Sequence, residues 1–138
     1  MTDACACIYI DDFAPADFIK QELRRARKLY KCSECGCAIN TGETYEYTFG
    51  NWTGSTDTYR TCKDCLSIRD TFFCNGYIFT NLFEALGEHI REIDGNVSAN
   101  CILPLTQKAR NDVFEIIEEV WKELDELDNV YSVISVVK

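Results

Sequence analysis

Hydrophobic and polar positions change period several times along the chain, and each period predicts an element. In "GETYEYTF", Tyr45, Tyr47 and Phe49 alternate with Thr44, Glu46 and Thr48. That is the two-residue period of a strand with one aromatic face. "GNWTG" follows with turn residues, "TDTYRT" predicts a return strand, and "CKDCLSIRDTFF" predicts a helix opening at its cysteines. Near the N-terminus "CIYI" predicts a short strand. "DDFAPADFIKQELRRARK" predicts a helix from about Pro15, with proline in its first turn.

The second half is dominated by helical period. "TNLFEALGEHIREIDG" predicts a helix closing at Gly95. In "LTQKARNDVFEIIEEVWKELDELDN", Val113, Ile117, Val120, Leu124 and Leu127 recur at spacings of four, three, four and three, and Phe114 and Trp121 widen this stripe. The stripe is expected to be buried. Glu115, Glu118, Glu119, Glu123, Asp125, Glu126 and Asp128 are expected to face outward. "VYSVISVV" predicts a last strand, able to pair with the N-terminal one. With no repeats, low-complexity tracts or clear linkers, the 138 residues read as one α+β domain. It is expected to have several helices, a small antiparallel sheet, a metal-binding unit over 31–74 and a helical part over 80–128.

Charge sharpens this picture. The chain is 46% hydrophobic, enough for a real core, and its formal net charge is −9. Such an acidic balance argues against a general nucleic-acid binder, which presents a basic face. The charge is uneven. Lys20, Arg24, Arg25, Arg27, Lys28 and Lys31 hold six of the fourteen basic residues, whereas 112–128 carries eight acids against Lys122 alone. The basic cluster reads first as a solvated face. Arg24, Arg25, Arg27, Lys28 and Lys31 remain the candidate contacts for nucleic acid. No basic n-region precedes a long apolar run, and no apolar run reaches the length of a membrane span. The expected location is the cytoplasm, where thiols stay reduced.

Candidate chemistry lies in the nine cysteines. Cys32, Cys35, Cys62 and Cys65 form Cys-x2-Cys-x26-Cys-x2-Cys, the spacing of a structural zinc site. Zinc takes four ligands in a tetrahedron, and a two-residue gap lets one tight turn offer two thiolates to one ion. Gly36 suits such a knuckle. A helix starting at Cys62 would make the unit a treble clef, and a second hairpin would make it a zinc ribbon. One structural zinc is therefore the expected cofactor. Cys5, Cys7, Cys37, Cys74 and Cys101 read as buried thiols, with a second metal site left open. His89, the sole histidine, reads as an exposed or capping residue.

The block from Ala26 to Asp70 carries "ARK…KC-x2-C", "I-x2-GE-x-Y", Gly-x-Trp-x-Gly and "Y-x-TC-x2-C-x2-IRD". In these motifs it resembles a group of small phage and prophage zinc-binding proteins of largely unassigned role. The resemblance spans about a third of the chain and implies a phage origin, with the metal at Cys32, Cys35, Cys62 and Cys65.

Three function classes follow. An enzyme is disfavoured, because four thiolates leave zinc no open position for water and a single histidine is too few for a His-Asn-His nuclease. A small nucleic-acid-binding zinc module or transcription regulator is the alternative reading. Four thiolates and one Zn²⁺ would take the formal charge of −9 to about −11, which works against it. The preferred reading is a non-enzymatic protein-binding adaptor or inhibitor, with Glu115, Glu118, Glu119, Glu123 and Glu126 as partner-facing residues. Its sharpest form is an anti-CRISPR or anti-nuclease protein acting in the host cytoplasm. The helix stripe also leaves a homo-oligomer open.

Overall fold

The computed structural model describes residues 8–10 and 16–137. Three strands form an antiparallel sheet in the order β2–β5–β6: β2 (Phe18–Arg25), β5 (Thr44–Trp52) and β6 (Ser55–Cys62). The β5–β6 hairpin turns on Thr53 (φ 51°) and Gly54 (φ 86°). Two central residues at positive φ match the right-handed twist of the flanking strands. Two short strands, β3 (Tyr30–Lys31) and β4 (Ala38–Ile39), frame the first cysteine pair. β1 (Ile8–Tyr9) runs parallel to β7 (Phe73–Asn75).

Helix α1 (Lys63–Phe72) follows β6 directly. It buries Cys65, Ile68 and Phe72 on one stripe. Helix α2 (Leu82–Glu92) buries Leu82, Ala85, Leu86 and Ile90, and the chain turns away at Gly95 (φ 76°), whose N–H bonds the Ile90 carbonyl at 2.9 Å. A short turn, α3 (Ala99–Ile102), leads to the long α4 (Gln107–Val137). Ala109, Val113, Ile117 and Val120 of α4 join Ile68, Phe72, Leu86 and Ile90 in the core. Each such buried aliphatic or aromatic side chain contributes about 1.5–3 kcal/mol. α1 is thus the middle layer, with the sheet on one side and α2 and α4 on the other.

The architecture is the expected α+β domain, with four corrections inside it. The segment expected to be a helix from Pro15 forms strand β2 over Phe18–Arg25 and no helix among its described residues. Its local helix propensity loses to an eight-residue ladder with β5, running from Phe18↔Asn51 to Arg25↔Thr44. "VYSVISVV" is no strand, because α4 continues through it to Val137, and β1 pairs with β7 instead. Extension of an existing helix avoids the costly nucleation step, which outweighs the β-branched composition. The α4 stripe is also shorter than its pattern. Val113, Ile117 and Val120 are buried and Leu124 is half-buried, but Leu127 is 54% exposed. Phe114 and Trp121 do not widen the buried stripe. They stand on its flank, 45% and 50% exposed.

Candidate metal centre

Cys32, Cys35, Cys62 and Cys65 converge, with all four Sγ atoms within 4.8 Å of one another. Backbone turns place them. Cys32 N–H donates to the Cys37 carbonyl (2.9 Å) and Gly36 N–H to the Cys32 carbonyl (3.0 Å), folding the knuckle around Gly36 at φ 74°. A left-handed φ there favours glycine, which has no Cβ to clash. Cys62 is the N-cap of α1, and its Sγ accepts the Cys65 N–H at 3.5 Å. Cys32 Sγ accepts the N–H groups of Glu34 and Cys62, each at 3.4 Å. Peptide N–H groups and the positive end of a helix both favour thiolate sulfur.

The sulfur geometry fits a tetrahedral ion. Cys32 and Cys65 Sγ lie 3.8 Å apart, as do Cys35 and Cys62 Sγ. Sulfurs at about 2.3 Å from one zinc stand about 3.8 Å from each other. Without a cation the four thiols cannot ionise together. Hydrogen bonds from Cys62 and Cys65 hold the Cys32 thiol far below its ordinary value. Burial then pushes Cys35 up to about 12, while the hydrogen bonds with Cys32 push Cys62 and Cys65 up. A divalent ion removes this conflict, and its binding releases the retained protons. Knuckle, hairpin, then helix is the treble-clef order, so the helical alternative of the sequence reading holds.

Neither Cys37 nor Cys101 joins this cluster. Cys37 is exposed, Cys101 is buried and disulfide-bonded rather than a free thiol, Cys5 and Cys7 lie outside the described residues, and the side chain of Cys74 is not among those described. His89 is neither exposed nor a cap. It is half-buried, edge-on to Phe72 with ring centroids 6.2 Å apart, and its Nε2 has no hydrogen-bond partner among the described residues. Desolvation lowers its pKa.

Three polar links, made by residues with no predicted role, hold the centre in the domain. Glu46, on the polar side of the predicted strand, is buried. Arg69 of α1 grips it with two hydrogen bonds of 2.7 and 2.6 Å, and Thr48 and Gln21 donate to the same carboxylate. Glu34 of the knuckle accepts the N–H groups of Thr80 (2.8 Å) and Leu82 (3.1 Å) at the start of α2. Asp64 of α1 accepts the Thr106 hydroxyl at 2.6 Å, and Thr106 Oγ1 accepts the Ala109 N–H at the start of α4. Glu46 and Arg69 sit in the quoted "GE-x-Y" and "IRD" motifs, which was their only signal.

The acidic positions behave as expected. Glu115, Glu118, Glu119, Glu123, Asp125 and Glu126 are exposed along α4, and the side chain of Asp128 is outside those described. Glu115 and Glu119 line a cleft of about 440 Å³ beside Cys35 and Cys37. Glu118 lies with Phe114 and Trp121 on a cleft of about 310 Å³ against Val97 and Ile102. Arg24, Arg25, Arg27, Lys28 and Lys31 lie on β2, the following turn and β3. Arg25 donates to the Gly42 carbonyl at 3.2 Å, and Arg27, Lys28 and Lys31 are exposed. No helix among the described residues is long and apolar enough to cross a membrane.

The chain is thus an α+β protein with a buried four-cysteine centre able to hold a metal ion. No family model, curated protein or solved structure matches it.

Proposed function

We propose that this is a phage-type, non-enzymatic, zinc-stapled module that binds a protein partner through the acidic side of α4. Zinc is the ion that suits four thiolates at tetrahedral spacing. A saturated thiolate shell gives it a structural role, with no coordination position for water or substrate.

The observation that carries the partner reading is the mixed outer side of α4. Solubility alone asks for charge, yet this side exposes Phe114 and Trp121 on either side of Glu118. Exposed aromatic rings rimmed by like charge are the composition of a contact surface. Glu115 to Glu126 spans about 16 Å of helix, and the negative shell around a four-thiolate zinc adds to its field. Such a row suits a basic protein surface, and its sharpest use is to occupy the nucleic-acid channel of a host nuclease or CRISPR effector in the host cytoplasm.

Capture from host lysate on tagged protein, with nuclease-treated and untreated arms, tests this reading. Wild type and a Glu118→Lys, Glu119→Lys variant are compared at two salt concentrations. The reading expects a basic protein retained after nuclease treatment, lost with the variant and weakened by salt. Equal capture by both baits would remove the acidic side of α4 from the interface.

A further inference from the structure

The sheet has a second face, turned away from α1. Cross-strand partners share a face, so Phe18, Lys20, Glu22 and Arg24 of β2 lie with Tyr45, Tyr47 and Phe49 of β5 and with Thr58 and Arg60 of β6. Cations and rings alternate across this face. Lys28 Nζ is 5.4 Å from the Tyr30 ring centre, Arg60 Cζ is 4.3 Å from Tyr30 and 6.0 Å from Tyr47, and Arg24 Cζ is 3.6 Å from Tyr47. Lys20 pairs with Phe49 one step along, and Phe18 meets Phe49 edge-on at 6.5 Å. Glu22 is the acid on this face, and it pairs with Arg24. Among the described residues Lys20, Lys28 and Arg60 have no ion-pair partner, and Arg60 Nε is buried without a hydrogen bond. The face is open beyond Tyr45, which is buried: Phe18, Lys20, Lys28 and Thr58 are exposed and Arg24, Tyr30, Tyr47, Phe49 and Arg60 half-buried.

We infer that this face binds single-stranded nucleic acid, with phosphates at Lys20, Lys28 and Arg60 and bases stacked on the ring-and-guanidinium row. Unpaired cations supply the phosphate term. The interleaved rings supply a stacking surface, which a base can use only when it is free of a duplex. An acidic protein segment would satisfy the cations and leave the rings without mates. Net charge does not forbid the binding. Exposed charges are screened over about 8 Å at physiological salt. α4 stands behind α1, two layers or roughly 18 Å from the sheet.

Fluorescence anisotropy of the zinc-loaded full chain tests the inference. The probes are labelled oligonucleotides of about twelve residues, an oligo-dT, an oligo-U and a duplex of the same length, with polyglutamate as competitor. The inference expects the single strands to bind more tightly than the duplex, the tighter of the two naming the sugar. Affinity should fall between about 50 and 200 mM salt, and polyglutamate should compete weakly. Tyr47→Leu should weaken binding by about 5- to 100-fold. Lys20→Ala, at an exposed edge position that leaves the fold intact, should lower the salt slope by about one. Tighter duplex binding, equal competition by polyglutamate, or no response to Lys20→Ala and Tyr47→Leu would each overturn it.

Discussion

Arg69 on α1 holds Glu46 on β5 through two hydrogen bonds of 2.7 and 2.6 Å, with both side chains largely buried. This pair fixes the helix that carries Cys65 to the strand whose neighbour ends in Cys62. Burial alone would raise the Glu46 pKa, but the Arg69 guanidinium and the Thr48 and Gln21 donors outweigh it, and the pKa is lowered. Arg69→Met leaves a buried carboxylate unpaired and should cost about 3–5 kcal/mol. Adding Glu46→Leu should recover much of that loss. A double-mutant cycle by chemical denaturation measures the coupling, and additive single effects would show that the pair contributes nothing jointly.

Acid should destabilise the protein in two windows. His89 has a lowered pKa when folded, so the unfolded chain binds its proton first. Stability is therefore full above about 6.5, the unfolded value, and falls as pH drops through the folded one. Glu46 is also lowered, so its contribution is full above about 4.3 and is lost as pH falls below that. Melting temperature against pH, compared with His89→Gln and Glu46→Gln, separates the windows. Each variant should flatten its own window relative to wild type.

Gly95 ends α2 at φ 76°, where an added Cβ would sit 2.5 Å from Trp121 Nε1. Gly95→Ala should cost about 1–2 kcal/mol from the left-handed backbone, with a further loss from displacing the indole. Trp121 Nε1 donates to the Asp94 carbonyl at 3.2 Å, so its fluorescence should change with the substitution. An unshifted denaturation midpoint would contradict the packing described.

Some of this was readable from sequence for a physical reason. The cysteine pairs, the β5–β6 hairpin and α2 rest on short spacings, where residues a few positions apart meet in space. β2 was misread because "KQELRRARK" favours a helix locally, whereas the ladder that overrides it joins Gln21 to Thr48, far along the chain. Glu46 alternates with the aromatic residues as a polar position, and the partner that accompanies its burial, Arg69, arrives from α1, beyond the intervening strand β6. Leu127 follows the apolar stripe of α4, but periodicity cannot say where the neighbouring layer stops.

Removing one ligand should remove more than the metal. Cys62 both belongs to the four-cysteine cluster and caps α1, so Cys62→Ser should abolish stoichiometric metal binding. The loss of folding free energy should be at least about 3 kcal/mol, or roughly 10 °C in Tm for a domain of this size. An unchanged Tm with lost partner binding would assign the metal a functional role.

A single structural zinc is expected at Cys32, Cys35, Cys62 and Cys65. Elemental analysis of the purified, fully folded protein tests it most directly, read alongside a thiol count on the same sample. One zinc ion per chain is expected, lost with Cys62→Ser and retained with Cys37→Ser, since Cys37 is exposed and outside the cluster. A folded protein whose four clustered cysteines titrate as free thiols and which carries no zinc would contradict it.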